Sequence, residues 1–383
     1  MKINYGKHFI DDEDCFEVSK VLKSNFLTQG PLVSKFEKSL TNFFGSKYAI
    51  AVSSGTSALY LSIKNLDLPI GSKIITTPLS FVATTSAIIL NNFTPVFSDI
   101  NLNNFSIDLD ILESNLKKDK KIKAIIAVDY AGNTCSWAEL AYLKKKYNLY
   151  LINDNCHAMG SQYNNSLKYA ANYADIVTQS YHPVKNFTTG EGGAILTNNL
   201  NIFNKIKISR NHGIKKIRKD INKFGNWYYD IHEPSFNFRI TEIQSALGIS
   251  QLKKLKKFTK KRQLIAKKYD LEFKNNENFI LPKPLPRSMS SYHLYTLLIN
   301  FDKLKKSKKS FFNKMKQDNI NLQVHYIPIY KFKFMKKYNI KKFYFKNTEF
   351  FYKSAVSLPI YYSLKSEEQE YVIDRLKYHL NVL

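Results

Sequence analysis

The sequence predicts an α/β architecture: a large domain with a mostly parallel sheet flanked by helices, then a smaller C-terminal α+β domain. Three observations predict it. Seven short apolar runs lie between residues 47 and 197, each bounded by polar or turn residues. Amphipathic stretches separate them, and such alternation favours parallel strands joined by crossover helices. From about Thr241 the texture changes to a long lysine-studded stretch followed by a proline-rich link.

The runs "KYAIAV" (47–52), "KIITT" (73–77), "TPVFSDI" (94–100), "IKAIIAV" (122–128), "NLYLIN" (148–153), "ADIVTQS" (174–180) and "GGAILT" (192–197) read as buried strands. Between them, "TSALYLSIKNL" (56–66), "SFVATTSAIILNN" (80–92) and "SWAELAYLKKKYN" (136–148) read as helices. The last has Ser136 as its expected N-cap, with Glu139 three residues on. Residues 241–276 read as one long helix or a pair, and 280–300 as a proline-rich link running into an apolar strand. The expected division is residues 1–250 for the large domain and 251–383 for the small one. The N-terminal arm counts with the large domain and is expected to lie over the junction.

Composition narrows the function. Among 383 residues, 58 Lys and Arg face 31 Asp and Glu, a net charge of +27. Runs such as "KKDKKIK", "KKLKKFTKKR" and "KLKKSKKS" could neutralise nucleic-acid phosphates. Arginine, which reads bases and phosphates bidentately, is scarce beside lysine, and no nucleic-acid motif is present. The runs therefore read as solvated helix faces, with no nucleic-acid partner expected. A basic nucleic-acid-binding protein on a retired enzyme scaffold is the rival reading. The three cysteines, Cys15, Cys135 and Cys156, are odd in number and widely spaced, so neither a disulfide framework nor a metal site is expected. The N-terminus shows no signal-peptide pattern and no run of about 18 apolar residues occurs, so no membrane span and a cytoplasmic setting are expected.

The strand ends carry the chemistry. After "YAIAV", the turn "SSG" opens a helix whose free N–H groups and dipole suit a phosphate. Alone, Gly55 reads equally as a turn residue. After "KIITT", Phe81 stands at a helix mouth, as a core aromatic or as a platform for a flat ring. After "NLYLIN" comes "DNCHAMG", where Asp154 is an N-cap or a buried carboxylate in need of a cationic partner, with His157 three residues on. After "ADIVTQS", Lys185 follows "YHPV" and precedes "TTGEGG". A single lysine is more often structural than catalytic. Among small and apolar groups, however, its charged form is disfavoured, and a neutral amine attacks carbonyls. Phosphate cradle, flat aromatic, carboxylate and amine together match pyridoxal 5′-phosphate. Its phosphate wants a helix N-terminus and its ring an aromatic face. Its ring nitrogen wants a carboxylate, and its aldehyde an amine.

The segment "SYHPVKNFTTGEGGAILTN" resembles the lysine signature of the DegT/StrS sugar aminotransferases. "SSGTSALYL", "TTPLSFVATTSAI", "DNCHAMGS", "RNHGI" and "SFNFRITEIQSALGISQLKKL" fall at matching places over nearly the whole chain. The resemblance implies a fold-type-I, pyridoxal-phosphate-dependent homodimer with active sites shared between subunits. It implies that Lys185 carries the cofactor and shuttles a proton, that Asp154 pairs with the ring nitrogen, and that His157 lies near the ring's phenolic oxygen. Gly55, Thr56 and Ser180 would hold the phosphate or the substrate beside it, and Phe81 would stack on the ring. Asn237 would reach into the partner's site, with Arg239 nearby. Tyr5, the stretch Asn25, Phe26, Leu27 and Thr28, and the stretch Gln323, Val324, His325 and Tyr326 would touch the nucleotide sugar.

"LKSNFLTQGPLVSKFEKSL", "VDYAGNTC" and "NLQVHYIPIY" are similar to the branch of that family serving pseudaminic acid synthesis. This implies L-glutamate as amino donor and a UDP-linked 4-keto-6-deoxy-N-acetylhexosamine as acceptor at C4, giving a product of the altrosamine type. A D-configured 4-keto sugar and a 3-keto sugar are the alternatives. Two positions depart from the family pattern: Asn153, where an acidic residue is common, and Asn155, where a small residue is usual. A branch that dehydrates sugars carries histidine in place of the lysine, and Lys185 argues against that chemistry.

Overall fold

The computed structural model describes residues 2–338, 340 and 345–382. Seven strands form the central sheet: β1 (Tyr48–Val52), β2 (Lys73–Thr76), β3 (Thr94–Phe97), β4 (Ile122–Val128), β5 (Tyr150–Asp154), β6 (Ile176–Ser180) and β7 (Gly193–Thr197). Each falls within one of the seven apolar runs, save that β5 runs one residue further, to Asp154. Their order is β1-β7-β6-β5-β4-β2-β3. The β6–β5, β5–β4, β4–β2 and β2–β3 pairs are parallel, while β7 runs antiparallel to both its neighbours.

Period-two alternation splits these strands between two cores. Ala51, Ile75, Ile125, Leu151 and Val177 face one side, with Phe36, Leu40, Trp137 and Leu255 packed over them. Ile50, Ile74, Ile126, Ile152 and Ile176 face the other, under Ala58, Leu61, Ala87 and Ile88. With both faces covered, the strands read as continuous apolar runs, which is why they were visible in the sequence. Burying each such aliphatic side chain contributes roughly 1.5–3 kcal/mol.

Three helices matter for the site. Helix α1 (Gly55–Lys64) follows β1, and α2 (Val82–Leu90) follows β2. Helix α3 (Glu242–Phe273) is one continuous rod of 32 residues, opened by a capping box between Thr241 and Gln244. Its Leu252 and Leu255 belong to the large core, whereas Ile265, Tyr269 and Phe273 belong to a C-terminal core. Residue 250 thus falls inside a helix shared by both cores. Ser136 does occupy the N-cap of the helix Trp137–Tyr147, but its side chain makes no capping bond. The Tyr163 hydroxyl accepts the Ala138 N–H instead, at 3.2 Å.

The C-terminal core surrounds an antiparallel sheet of Phe279–Ile280, Tyr295–Ile299 and Ala355–Leu358. The N-terminal arm ties the two cores together. Ile3–Asn4 pairs with Ile320–Asn321, and Tyr5 accepts the Ile360 N–H at 3.0 Å. The helix Asp12–Leu22 then lies on α3, where buried Asp14 accepts from Gln251 at 2.6 Å and pairs with Lys254 at 3.0 Å.

Candidate active site

The carboxyl ends of β1, β5 and β6 converge on a cavity of about 460 Å³. Open α/β sheets place ligands at such strand ends. Two glycines let the backbone close in here. Gly193 pairs with both Val52 and Ser180, and a Cβ on it would lie 2.5 Å from the Ser54 carbonyl oxygen. A Cβ on Gly55 would lie 2.6 Å from the Ser180 Cβ. The start of α1 is thereby pressed against the end of β6. The Ser54 hydroxyl caps the Ser57 N–H at 3.0 Å, and the Ser54 carbonyl takes the Ala58 N–H at 3.0 Å. The Gly55 and Thr56 N–H groups keep no partner among the described residues, and both residues line the cavity with Ser180. Paired free donors at the positive end of a helix fit a phosphate.

Asp154 ends β5 and is buried. One carboxylate oxygen accepts from the Thr84 hydroxyl at 2.8 Å, the other from the Cys156 N–H at 3.3 Å. Thr84 is itself bonded to Ser80 at 2.8 Å. The carboxylate is therefore aimed into the cavity by the first turns of α2. Lys185 lines the same cavity, and its N–H closes a turn onto the His182 carbonyl at 2.9 Å. Burial pushes its ammonium below the usual lysine range, while Cys156 and Asp154 pull the other way. Burial raises the Cys156 thiol well above its ordinary value, so it is not a competing nucleophile.

Opposite stands a wall of imidazoles. His157 Nδ1 accepts the Ala131 N–H at 3.3 Å, which leaves its hydrogen on Nε2, 3.0 Å from the Tyr326 hydroxyl. That assignment follows from the bonding partners. The His157 nitrogen thus donates to Tyr326, whose own hydrogen is free to point into the cavity. His325 Nδ1 lies 2.8 Å from the Ser357 hydroxyl. Burial, then Lys185, pushes His325 down to about 3 and holds His157 well below the usual histidine value. Phe81 caps the mouth, 55% exposed, with its ring 6.0 Å from that of Tyr326.

The cavity brings together Tyr5, Gly55, Thr56, Phe81, Asp154, His157, Ser180, Lys185, His325 and Tyr326. Gln323 and Val324 line a smaller adjoining pocket that shares Tyr5, Phe81, His325 and Tyr326. A second group of expected residues lies elsewhere. Thr28 bridges to Thr241, Leu27 accepts the Glu242 N–H, and Phe26 and Leu27 are exposed. Arg239 bonds Asn211 and lines a basic pocket with Arg210, Lys207, Lys215 and Lys216. Asn237 is exposed on the same ribbon, bridged to Asn211. None of Asn25, Phe26, Leu27, Thr28, Asn237 and Arg239 lines the central cavity within one chain.

The structure adds Ser54, Thr84, Cys156, Glu191 and His293 to the lining. Thr84 carries the one signal readable in advance, its place one turn into the helix that follows Phe81. The Asn155 departure also finds an account. Its amide bonds buried Asp129 at 3.1 Å and the Tyr169 hydroxyl at 2.9 Å. Asn153 is fully buried with no side-chain partner among the described residues, and we have no physical account of it. No group of side chains that could hold a metal ion occurs among the described residues. Among them, too, no helix is long and apolar enough to cross a membrane.

Comparison with known proteins adds context. The sequence profile of the DegT/DnrJ/EryC1/StrS aminotransferase family matches residues 8–377. The chain is 39% identical, over 98% of its length and 96% of the other protein, to a UDP-4-amino-4,6-dideoxy-N-acetyl-beta-L-altrosamine transaminase of Campylobacter jejuni. Its fold superposes with a TM-score of 0.93, at 35% identity and over all of both chains, on Helicobacter pylori PseC, an aminotransferase involved in the biosynthesis of pseudoaminic acid. It is also similar, with a TM-score of 0.90 and 25% identity over 100% and 99% of the chains, to the pyridoxal-phosphate form of a putative sugar aminotransferase of Streptococcus pneumoniae.

Proposed function

The chain belongs to the DegT/DnrJ/EryC1/StrS aminotransferase family, and from that premise we propose that it moves the amino group of L-glutamate to C4 of UDP-2-acetamido-2,6-dideoxy-β-L-arabino-hex-4-ulose. The product is UDP-4-amino-4,6-dideoxy-N-acetyl-β-L-altrosamine, a precursor of pseudaminic acid, and the cofactor is pyridoxal 5′-phosphate. One observation carries the reading. A helix N-terminus with free donors, an anchored carboxylate and a half-buried lysine whose ammonium is disfavoured open onto one cavity.

The bound cofactor supplies a carbonyl for amine capture and a ring that accepts electron density. The residues supply the rest. The Gly55 and Thr56 N–H groups and the Ser180 hydroxyl hold the phosphate. Asp154, held in place by Thr84 and Cys156, would pair with the ring nitrogen. Phe81 covers one ring face. Lys185, its ammonium disfavoured by burial, would take a proton from one carbon and return it to another, as base and acid in turn. His157 and Tyr326 form a donor chain that would meet the ring's phenolic oxygen. Tyr5, Gln323, Val324 and His325 border the space left for the sugar. Asn25, Phe26, Leu27, Thr28, Asn237 and Arg239 serve the cavity of a second copy in a homodimer. The basic pocket around Arg239 suits the pyrophosphate of a nucleotide sugar.

The test is product identification by NMR after incubation with glutamate and either the L-arabino ketosugar or its D-configured epimer. Turnover of the L-arabino sugar alone is expected. Turnover confined to the D-series sugar would refute the substrate assignment. A protein that develops no visible absorption band with pyridoxal phosphate would refute the cofactor.

A further inference from the structure

His293 lies in the irregular segment before the strand Tyr295–Ile299, lines the cavity and is 4% exposed. Its ring centroid is 4.4 Å from that of His157, at an interplanar angle of 47°. Its Nδ1 is buried with no hydrogen-bond partner among the described residues. What it offers His157 is therefore the ring, not a bond from that nitrogen.

The segment carrying it is pinned on several sides. Asn186, next to Lys185, donates to the Ser291 carbonyl at 3.1 Å. The Ser291 hydroxyl donates to the His157 carbonyl at 3.3 Å. Buried Arg262 donates to the Tyr292 and His293 carbonyls, both at 3.2 Å. The Leu294 N–H donates to the Ala131 carbonyl at 3.3 Å, and Ala131 in turn donates to His157 Nδ1. One short segment thus joins the turns that bear Lys185 and His157, with an imidazole pressed against the second. Burial and the nearby Lys185 keep that imidazole neutral, so it adds no charge to the wall.

We propose that His293 is a positioning residue for His157: ring contact holds the His157 imidazole where it accepts from Ala131 and donates to Tyr326, whose hydroxyl faces the space for the cofactor's ring. Without that contact one face of His157 borders empty space and its side-chain torsions are free to relax. The inference rests on the cofactor assignment made above.

A double-mutant cycle read on cofactor binding tests it. Pyridoxal-phosphate affinity and the pH titration of the visible band are measured for the unsubstituted protein, His293→Ala, His293→Phe, His157→Gln and the double variant His157→Gln/His293→Ala. His293→Ala is expected to weaken binding about threefold to tenfold, in the lower part of the coupling found between contacting residues, and to shift the band's titration. His293→Phe, which keeps a planar ring, should restore both. The double variant should bind no worse than His157→Gln alone. Additive losses, an unaltered His293→Ala protein, or a phenylalanine variant as impaired as alanine would each overturn the proposal. If His293→Ala does not fold, His293→Phe carries the test, since it must match the unsubstituted protein in both readouts. A missing band in the unsubstituted protein would instead remove the cofactor assignment, so the two failures are told apart.

Discussion

The two walls of the central cavity are built on different physics. The sheet wall presents Gly55, Asp154, Ser180 and Lys185 at strand ends or one turn beyond them. Asp154 is gripped by ladder pairs to Val128 on one side and Thr178 on the other. The C-terminal wall presents His293, His325 and Tyr326 from irregular segments. They are held by scattered side-chain and backbone bonds, such as His325 to Ser357 and Arg262 to the His293 carbonyl, and not by a strand ladder. A ladder fixes position to fractions of an ångström, as bond-making groups require. Irregular segments fix shape and polarity, which suits the side that meets a variable substrate. The sheet wall should therefore fail by losing chemistry, and the C-terminal wall by losing affinity or tolerance to pH.

The sharpest way to break that contrast is at Lys185. Lys185→Ala is expected to lower kcat by at least about 10⁴-fold, because proton transfer and carbonyl capture go together. The circular dichroism spectrum should be unchanged. A variant within tenfold of normal turnover would sink the assignment. Asp154→Asn comes next, with a fall of about 10²–10³-fold in kcat, the cost of losing one aimed charge in a dry site. Cofactor should still bind, so single-turnover kinetics separates the defect from lost affinity. Gly55→Ala is smaller. Its methyl would sit 2.6 Å from the Ser180 Cβ, and overpacking of that kind costs about 1–3 kcal/mol. The folded protein should lose about that much stability, read as a lower thermal midpoint, and cofactor affinity should fall as the start of α1 is pushed off the end of β6. Equal affinity for pyridoxal phosphate, followed by titration, would show that the cradle lies elsewhere.

How much the sequence revealed follows the same divide. Doubly covered strands leave long apolar runs, so all seven strands of the central sheet and the residues at their ends were legible. The N-cap of the helix at Trp137 was placed correctly, but its hydrogen bond was not. Tyr163 reaches that N–H only once the chain is folded. His293 sits in "SSYHLYTLL", where one histidine before a strand carries no pattern. Its contact with His157 is made by tertiary packing alone. Asn155 departs from the family pattern because its partner, Asp129, is brought to it only in the fold, just past the end of the neighbouring strand. Asn237, Arg239 and residues 25–28 entered through resemblance alone. Nothing in their own composition distinguishes them from other exposed loops.

The C-terminal wall gives the gentlest test, through pH. Burial, and after it Lys185, pushes His325 down to about 3 and depresses His157 likewise. His293 shares those two causes, with His157 next among them. In the unfolded chain a histidine takes its proton near 6.5. Between about pH 6.5 and 3 the unfolded chain therefore binds a proton on His325 that the folded chain does not. Stability rises with pH across that window and is lost on acidification, by about 1.4 kcal/mol per pH unit for His325, and His157 and His293 act in the same direction. Asp129 works against this. Burial raises its carboxyl to about 6, despite bonds from Cys135, Tyr169, Asn155 and Trp137. Between roughly pH 4 and 6 the folded state holds that proton more tightly than the unfolded one. Asp129 and Asp270, both raised by burial, work against three lowered imidazoles, so between pH 6 and 4 stability should fall as acid is added. Urea unfolding at half-unit steps reads the slope. His325→Asn should make it shallower by about 1.4 kcal/mol per pH unit, and Asp129→Asn should make it steeper. An unchanged slope in His325→Asn would mean that this imidazole is hydrated and charged in the folded protein. The wall facing Lys185 would then be wet, and the contrast between the two sides would fall with it.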